Sequence, residues 1–543
     1  MKYVTVSEMV TIEKEANSNG LAYDEMMENA GRGLASVIME EYKELREPSA
    51  MGLVGSGNNG GDTLVALAIL AETGWKTNAY VVKTRAKDDP LISRYIKSGG
   101  KIYSTDTDSD FRILRDLLCE HNLLLDGVLG TGIKLPLRGK VAQVLKATRD
   151  QIEDMDDPPE VVAVDCPSGV DSDSGDVASE CFSANLTVTM AAVKAGLLKF
   201  PSYNYLGKLR LVGIGLTEND KRSKTWRNIN TFVADSDLIK NLLPKRPLDA
   251  HKGTFGTALV VAGSVNYTGA AMLAGKAAYR SGAGLVTLAV PAPLHRVLAG
   301  HFPEATWILL PHEMGVISAD AGKVLNKNLE RPTALLIGPG LGVEDTTRDF
   351  LADFIGGSSN KSSQRFGFVA FPIEGDLDEE IVLPPIVIDA DGLKLLKKID
   401  NWKEKIPAPA VLTPHPGEMS ELTGLSTIEI QANRRSIAEE YSRIWGHVVV
   451  LKGAHTIVAS PDSRMTIIPI ATASLARAGT GDVLAGLIVG LLAQGLGPYD
   501  AAVAGCWIHA RAGLHAEVSV GNSASVIAGD VLDMVATELS ELT

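Results

Sequence analysis

The sequence predicts an α/β protein made of two three-layer α/β/α domains. Short apolar runs alternate with helix-period patterns along most of the chain, as they do in parallel sheets sandwiched by helices. The pattern lapses once, after "GLTENDKRSKTWRNIN", and restarts at "TALVVAG" (257–263). The boundary is therefore expected within 216–235, with domains at 1–225 and 226–543. A length of 543 residues suits two large units, since domains run to about 100–200 residues or somewhat more.

In the first series, "AYVVK" (79–83), "NLLLD" (122–126), "EVVAVD" (160–165), "NLTVTM" (185–190) and "KLRLVGIG" (208–215) read as strands. The second series continues from "TALVVAG" through "GLVTLAV", "TALLIG", "PIVIDA", "AVLTP" and "HVVVLKG". Between them, 356–380 is Ser-rich and then acidic, and reads as a surface excursion without a function. "LAGLIVGLLAQGLG" (484–497) is shorter than the roughly 18 apolar residues that span a bilayer, so a buried helix is expected and no membrane contact.

Composition narrows the function classes. A hydrophobic fraction of 45% with 22% charged residues describes an ordered, soluble protein. A net charge of −14 with no basic patch argues against a grip on nucleic acid. Cys119, Cys166, Cys181 and Cys506 are scattered with no metal spacing, so they read as reduced thiols of a cytoplasmic protein. Glu8 and Glu13 interrupt the apolar stretch a signal peptide needs. Cys166 invites a nucleophile reading, but no histidine lies near it in sequence and buried filler is favoured.

"GLVGSGNNGGDT" (52–63) follows a short strand (50–54) and precedes a helix read from "DTLVALAILAETG". Gly55, Gly57 and Gly60 match G-x-G-x-x-G, in the strand-turn-helix context of a phosphate-cradling loop. A dinucleotide cofactor site wants an acidic residue at the end of the next strand, and "AYVVKTR" supplies Lys83 and Arg85 instead. Two later strands do end in carboxylates, Asp126 and Asp165. In a doubly wound sheet these ends face the ligand crevice, so Asp126, Asp165, Asn58 and Asn59 should converge there. Such groups suit acid–base work or a hard cation, and capping a turn is the plainer alternative.

"MMENAGRG" (26–33), "GNNGGD" (57–62), "LLDGVLGTG" (124–132), "DCPSGVDSDSG" (165–175) and "TMAAVKAGL" (189–197) resemble, in order, the motifs of the NAD(P)HX epimerase domain. The resemblance covers nearly all of 1–215 and implies a Rossmann-like domain whose nucleotide is a substrate, NAD(P)H hydrated on its nicotinamide ring. It implies contacts to the hydrate from Asn58, Asn59, Gly60, Gly61 and Asp62, from Gly130, Thr131, Gly132, Ile133, Lys134, Leu135 and Pro136, and from Asp165. It further implies a potassium ion on Asn59, Asp126 and Ser168, and proton transfer by Asp165. Thr63 stands where a further glycine is expected.

"ARAGTGDVLAGLIVGLL" (476–492) places Gly479, Gly481 and Asp482 at the start of a strongly apolar helix. Free N–H groups there suit an anion, and Asp482 is either a first-turn acid or a base beside a transferring phosphoryl group. "AGTGD" resembles the ribokinase-like superfamily, whose transferases use that aspartate as the base. Lys452, Gly453, Ala454, His455 and Thr456, with Ala478, Gly479, Thr480 and Gly481, are the implied nucleotide-binding residues. "LTPHPGEMSEL" (412–422) puts His415 where small-molecule kinases often carry Asn.

"HKGTFG" (251–256), "AGSVNYTGAAMLAGKAAYRSGAGLVTLAVP" (262–291), "IGPGLG" (337–342) and "IDADGL" (388–393) complete a resemblance to the ADP/ATP-dependent NAD(P)HX dehydratases over 245–535. It implies substrate contacts from Gly340, His415, Pro416, Gly417, Glu418 and Asp482, with ADP the expected donor, ATP the alternative, and magnesium on the nucleotide phosphates. Together the two resemblances imply repair of hydrated NADH and NADPH. The first domain would interconvert R and S hydrates. The second would phosphorylate the S hydrate's hydroxyl and expel phosphate to restore NAD(P)H. Homo-oligomerisation is expected for such an enzyme. Two rivals stay open: a small-molecule kinase of ribokinase type, and an N-terminal half that only senses a dinucleotide or binds a partner.

Overall fold

The computed structural model describes residues 1–86, 88–356, 383–407 and 409–543. They form two compact units, Met1–Val233 and Ala234–Thr543. The surface excursion expected at 356–380 lies, beyond Gly356, outside the described residues.

In the first unit seven strands make one sheet: β1 (Ser49–Val54), β2 (Lys76–Val81), β3 (Lys101–Ser104), β4 (Leu123–Gly127), β5 (Glu160–Val164), β6 (Leu186–Met190) and β7 (Lys208–Val212). Their order is β3-β2-β1-β4-β5-β6-β7, and every pairing is parallel. This is the doubly wound order, with its reversal between β1 and β4. Because helices cover both faces, the central strands β1 and β4 are buried at every position, which is why they read as unbroken apolar runs. The edge strand β3 is only half-buried and mixes Lys101 and Ser104 with Ile102 and Tyr103, so apolar patterning did not find it.

Helix α1 (Tyr23–Glu41) packs on α2 (Asn58–Glu72). α2 starts four residues earlier than the sequence suggested. Gly57 is its N-cap, and the Gly61 N–H already donates to the Gly57 carbonyl at 3.2 Å. The glycines serve close approach of backbone to backbone. A Cβ on Gly55 would lie 2.0 Å from the Val128 carbonyl oxygen, and one on Gly60 2.0 Å from that of Gly55. The Gly-rich turn is thereby pressed against the start of the β4 loop.

The second unit's main sheet contains β8 (Thr257–Val261), β9 (Leu285–Pro291), β10 (Thr306–Leu310), β11 (Ala334–Ile337), β12 (Ile386–Ile388), β13 (Val411–Leu412), β14 (Val448–Leu451), β15 (Ile457–Ala459) and β16 (Met465–Ile467). The order runs β16-β15-β14-β13-β12-β11-β8-β9-β10, parallel from β10 to β14 and antiparallel through β15 and β16. One face is covered by α3 (Thr268–Arg280) and α4 (Thr480–Ala493), which cross closely because Gly486 and Gly490 meet Ala274, Ala277 and Ala278. α5 (Pro498–Val520) and α6 (Ala528–Leu542) complete that layer. α4 is buried nearly throughout, as expected from its sequence, and no described helix is long and apolar enough to cross a membrane. The four cysteines are free thiols.

Candidate active sites

In the first unit the carboxyl ends of β1, β4 and β5 meet at the crossover point of the sheet. Asn59, in the first turn of α2, donates through Nδ2 to the carbonyls of Val164 at 2.6 Å and Leu129 at 3.0 Å. Its Oδ1 turns toward Gly130, where a Cβ would come within 2.6 Å of it. Asp126 is fully buried. Its Oδ2 accepts from the Ser168 N–H at 2.7 Å, while Oδ1 has no hydrogen-bond partner. Burial pushes the Asp126 carboxyl up to about 6 against the hydrogen bonds from Ser168. The Ser168 hydroxyl accepts from the Leu129 N–H at 2.9 Å. Asn59, Asp126 and Ser168, expected to share a cation, are thus joined through the β4 loop. The unsatisfied Asp126 oxygen, in a residue linked to Ser168 and next to the loop that Asn59 also holds, fits a hard cation, since a buried carboxylate oxygen without a partner is costly.

A cleft of about 350 Å³ opens beside this group, walled by Gly55–Asn59, Lys83, Val128–Ile133 and Val141. Gly130, Thr131, Gly132 and Ile133 therefore face the Gly-rich turn across one cavity, whereas Lys134, Leu135 and Pro136 lie outside its walls. Arg85 closes the turn from outside, donating to the carbonyls of Gly55 at 2.9 Å and Gly57 at 3.1 Å. Thr63, at the position where a glycine was expected, donates to the Asn59 carbonyl at 2.7 Å and braces the same turn of α2.

Asp165 ends β5 with a left-handed backbone, φ +65°. Its Oδ1 accepts from Thr189 Oγ1 at 3.1 Å, from the Met190 N–H at 2.9 Å and from Lys194 Nζ. Asp62 and Glu13 bear on the same group. The carboxyl of Asp62 is driven well above the usual range by burial, then by Asp165 and Glu13, with Lys194 opposing. Glu13 is raised too, by burial first and by Asp165. Lys194 and Glu13 were not foreseen as site residues. A lone lysine inside the apolar run "AAVKAGLL" was the available signal, because buried lysines are rare unless paired. Cys166 is buried and its thiol is pushed up to about 12 by burial and by Asp165, which suits filler and not a nucleophile.

In the second unit Asp482 occupies the first turn of α4 behind Gly479, whose φ is +87°. Burial pushes its carboxyl up to about 7, Asp389 and Asp391 add to this, and Lys452 opposes. Lys452, at the end of β14, donates to Asp389 Oδ1 at 2.8 Å and lies 3.6 Å from Glu418 Oε2. Burial alone would lower the Lys452 ammonium, but Asp389, Glu418 and Asp482 raise it. Both Lys452 Nζ and Asp389 Oδ2 sit within 4 Å of where a Gly481 side chain would begin. A charged pair therefore abuts the open amide end of α4. Thr413 also donates to Asp389 Oδ1, at 2.7 Å. Asp389 directly follows the strand β12, the same strand-end position as Asp126 and Asp165, and Asp391 opens the next helix; the strand-end rule would have found Asp389 in "IDADGL".

His415 caps the helix Pro416–Thr423. Its Nδ1 accepts from the N–H groups of Gly417 at 2.9 Å and Glu418 at 3.2 Å, while Glu418 Oε2 accepts from the His415 N–H at 2.8 Å. This reciprocal box fixes the pair beside Lys452. A pocket of about 470 Å³ runs from His415 and Pro416 past Lys452, Gly453, Ala454 and Thr456 to Arg477, Thr480 and Gly481. Ile468, Ile470, Leu475 and Leu484 give it an apolar wall, and His509 and Cys506 of α5 close it. His455 is buried in the β14–β15 turn with φ +53°, and like Gly417, Glu418, Ala478, Gly479, Asp482 and Gly340 it is not among the residues that line the pocket. Gly340, at φ +64°, presses on Tyr267, and the neighbouring Gly342 N–H donates to Asp391 Oδ2 at 3.0 Å. The loop is thereby tied to the acidic centre.

Comparison with known proteins follows the same division. Residues 258–530 match the family model described as NAD(P)H-hydrate dehydratase, and residues 23–196 that of the YjeF-related protein N-terminus. The bifunctional NAD(P)H-hydrate repair enzyme Nnr of Moorella thermoacetica is 33% identical over 549 aligned residues, covering 100% of this chain and 97% of the relative. That of Salinibacter ruber is 32% identical, covering 95% and 92%. Among solved structures, an ADP/ATP-dependent NAD(P)H-hydrate dehydratase from Bacillus subtilis, co-crystallised with ATP and Mg2+, is 28% identical. It aligns over 58% of this chain and 100% of its own, with a TM-score of 0.47.

Proposed function

The chain belongs to the bifunctional NAD(P)H-hydrate repair enzymes, which epimerise and dehydrate hydrated NADH and NADPH, and from that premise we propose which of its residues do each task. The observation that carries the dehydratase assignment is Asp482, half-buried at the amide end of α4, its carboxyl pushed up to about 7 by burial and Asp389. A carboxylate of raised basicity suits removal of the hydrate's hydroxyl proton as the phosphoryl group arrives. The amides of Gly481 and its neighbours, with Lys452, receive the charge on that group. Phosphate then leaves from the carbon that bore the hydroxyl, pushed by the ring nitrogen lone pair, and NAD(P)H is restored. ADP, with ATP as alternative, occupies the 470 Å³ pocket between β14 and α5. Bound magnesium would neutralise charge on the nucleotide phosphates.

In the first unit Asp165 is the proton-transfer group, and the cleft walled by Asn58, Asn59 and Gly130–Ile133 takes the dinucleotide. Potassium held by Asn59, Asp126 and Ser168 would supply fixed positive charge beside that cleft. The test mixes the purified protein with both NADHX epimers, ADP and magnesium, in potassium or in sodium buffer, and follows reduced-nicotinamide absorbance. Full recovery of both epimers is expected, with sodium slowing only the R fraction. No recovery with ADP or ATP would overturn the assignment.

A further inference from the structure

We infer that Lys194 is the positioning residue of the N-terminal site: its ammonium, bridging Thr189, Met190 and Asp165, ties down Asp165 Oδ1 and leaves Oδ2 as the oxygen offered to the hydrate. This rests on the reading of Asp165 as the proton-transfer group.

Lys194 is 1% exposed. Its three N–H bonds find three acceptors: Asp165 Oδ1, the Met190 carbonyl at 2.8 Å and Thr189 Oγ1 at 3.2 Å. An ammonium has three donors and no acceptor, so no bond remains for a substrate. Lys194 therefore acts through Asp165. On the other side of the pair, Oδ1 accepts three hydrogen bonds, whereas none reaches Oδ2 from the described residues. One oxygen is saturated and the other is available.

The backbone argues for the same division of labour. An aspartate at φ +65° holds a left-handed backbone that side-chain-bearing residues rarely adopt, and such residues persist where their surroundings over-determine them. Here the overdetermination comes from Thr189 and Met190 at the end of β6 and from Lys194 just after it. Val193–Lys194 is itself held in place by a parallel pairing with Tyr3–Val4.

Charge supplies the need for the clamp. Three carboxyl groups act on one another electrostatically here: Glu13 from the helix Val6–Ser18, Asp62 from α2 and Asp165 from the end of β5, and Asp165 also raises the Cys166 thiol. Lys194 is the cation that acts on all three carboxyls. It lowers the proton affinity of Glu13 and Asp62 against their burial, and it pairs directly with Asp165.

The experiment measures epimerisation of R-NADHX by chromatography against pH, in the full-length protein, for wild type, Lys194→Met, Thr189→Val and Asp165→Asn. Dehydration of pure S-NADHX by the same preparations reports an intact chain. For Lys194→Met the acidic limb of kcat should move up by about one to three pH units, the effect of an opposite charge at contact distance. At a fixed pH below the limb this is about tenfold in kcat per unit, with KM changed less than about threefold. Thr189→Val should move the limb the same way by less, and it serves if Lys194→Met does not fold. A limb that stays in place while kcat or KM falls, in both variants, overturns the proposal and makes Lys194 a structural residue. Asp165→Asn separates the two claims: retained turnover defeats the reading of Asp165, while lost turnover with an unmoved limb in the other variants defeats only the clamp.

Discussion

Asp482 and Lys452 divide one electrostatic problem between them. As the proposed base at the amide end of α4, Asp482 must be anionic to work, yet burial and Asp389 push its proton affinity up to about 7, while Lys452 pulls it down. Dehydration should therefore rise with pH through about 7 and level off above. Replacing Asp389 by Asn removes a charge that favours the proton on Asp482, so the rising limb should move to lower pH. Lys452→Met removes the opposing charge, and the limb should move to higher pH along with a loss of rate. Stopped-flow regrowth of NADH absorbance from S-NADHX across pH 5 to 9 checks both directions. If both variants shifted the same way, the assignment of Asp482 as the titrating base would be wrong.

At the scale of elements, the carboxyl ends of parallel strands carry both centres: Asp126 and Asp165 after β4 and β5, and Asp389 after β12. Those strands were legible because a sheet covered on both faces demands continuous apolar residues, and Asp126 and Asp165 stood out as the first polar residue of each run, whereas Asp389 was passed over although the same rule applies to it. The edge strands β3 and β10 were not, since half-exposed positions dilute the pattern. Lys194 escaped for a different reason. Its partner lies 29 residues earlier in the chain, and no local spacing announces a pair that only the fold brings together. The glycines of α4 are a further case. "LAGLIVGLL" reads as a buried helix, but the sequence does not say that Gly486 and Gly490 are where α3 crosses it. A Cβ on Gly486 would stand 2.2 Å from the Ala274 carbonyl oxygen, and one on Gly490 2.1 Å from Ser281 Oγ. The first neighbour is backbone and cannot rotate away. Gly486→Ala should therefore destabilise the second unit by about 1–3 kcal/mol, the usual cost of overpacking, despite the better helix propensity of alanine. Urea unfolding followed by far-UV circular dichroism would show a lower midpoint, and an unchanged or higher one would mean that the two helices separate at no cost.

For the whole molecule, two separately built units act on one damaged dinucleotide, and their tasks are chemically sequential. The second consumes one epimer, and the first regenerates it. A loss in either centre should leave a distinct residue of substrate. Asp165→Asn ought to restore NADH only from the S fraction present at the start, leaving R-NADHX apart from its slow spontaneous epimerisation. Asp482→Asn ought to restore almost none, with a loss of about 10²-fold or more for a general base, while still bringing pure R-NADHX to an R/S mixture. Mixing the two single variants should then recover the wild-type end point, because the hydrate can leave one molecule and enter another. Chromatographic separation of R-NADHX, S-NADHX and NADH over time distinguishes these outcomes in one experiment. If Asp482→Asn also stopped epimerisation, the two centres would not be independent.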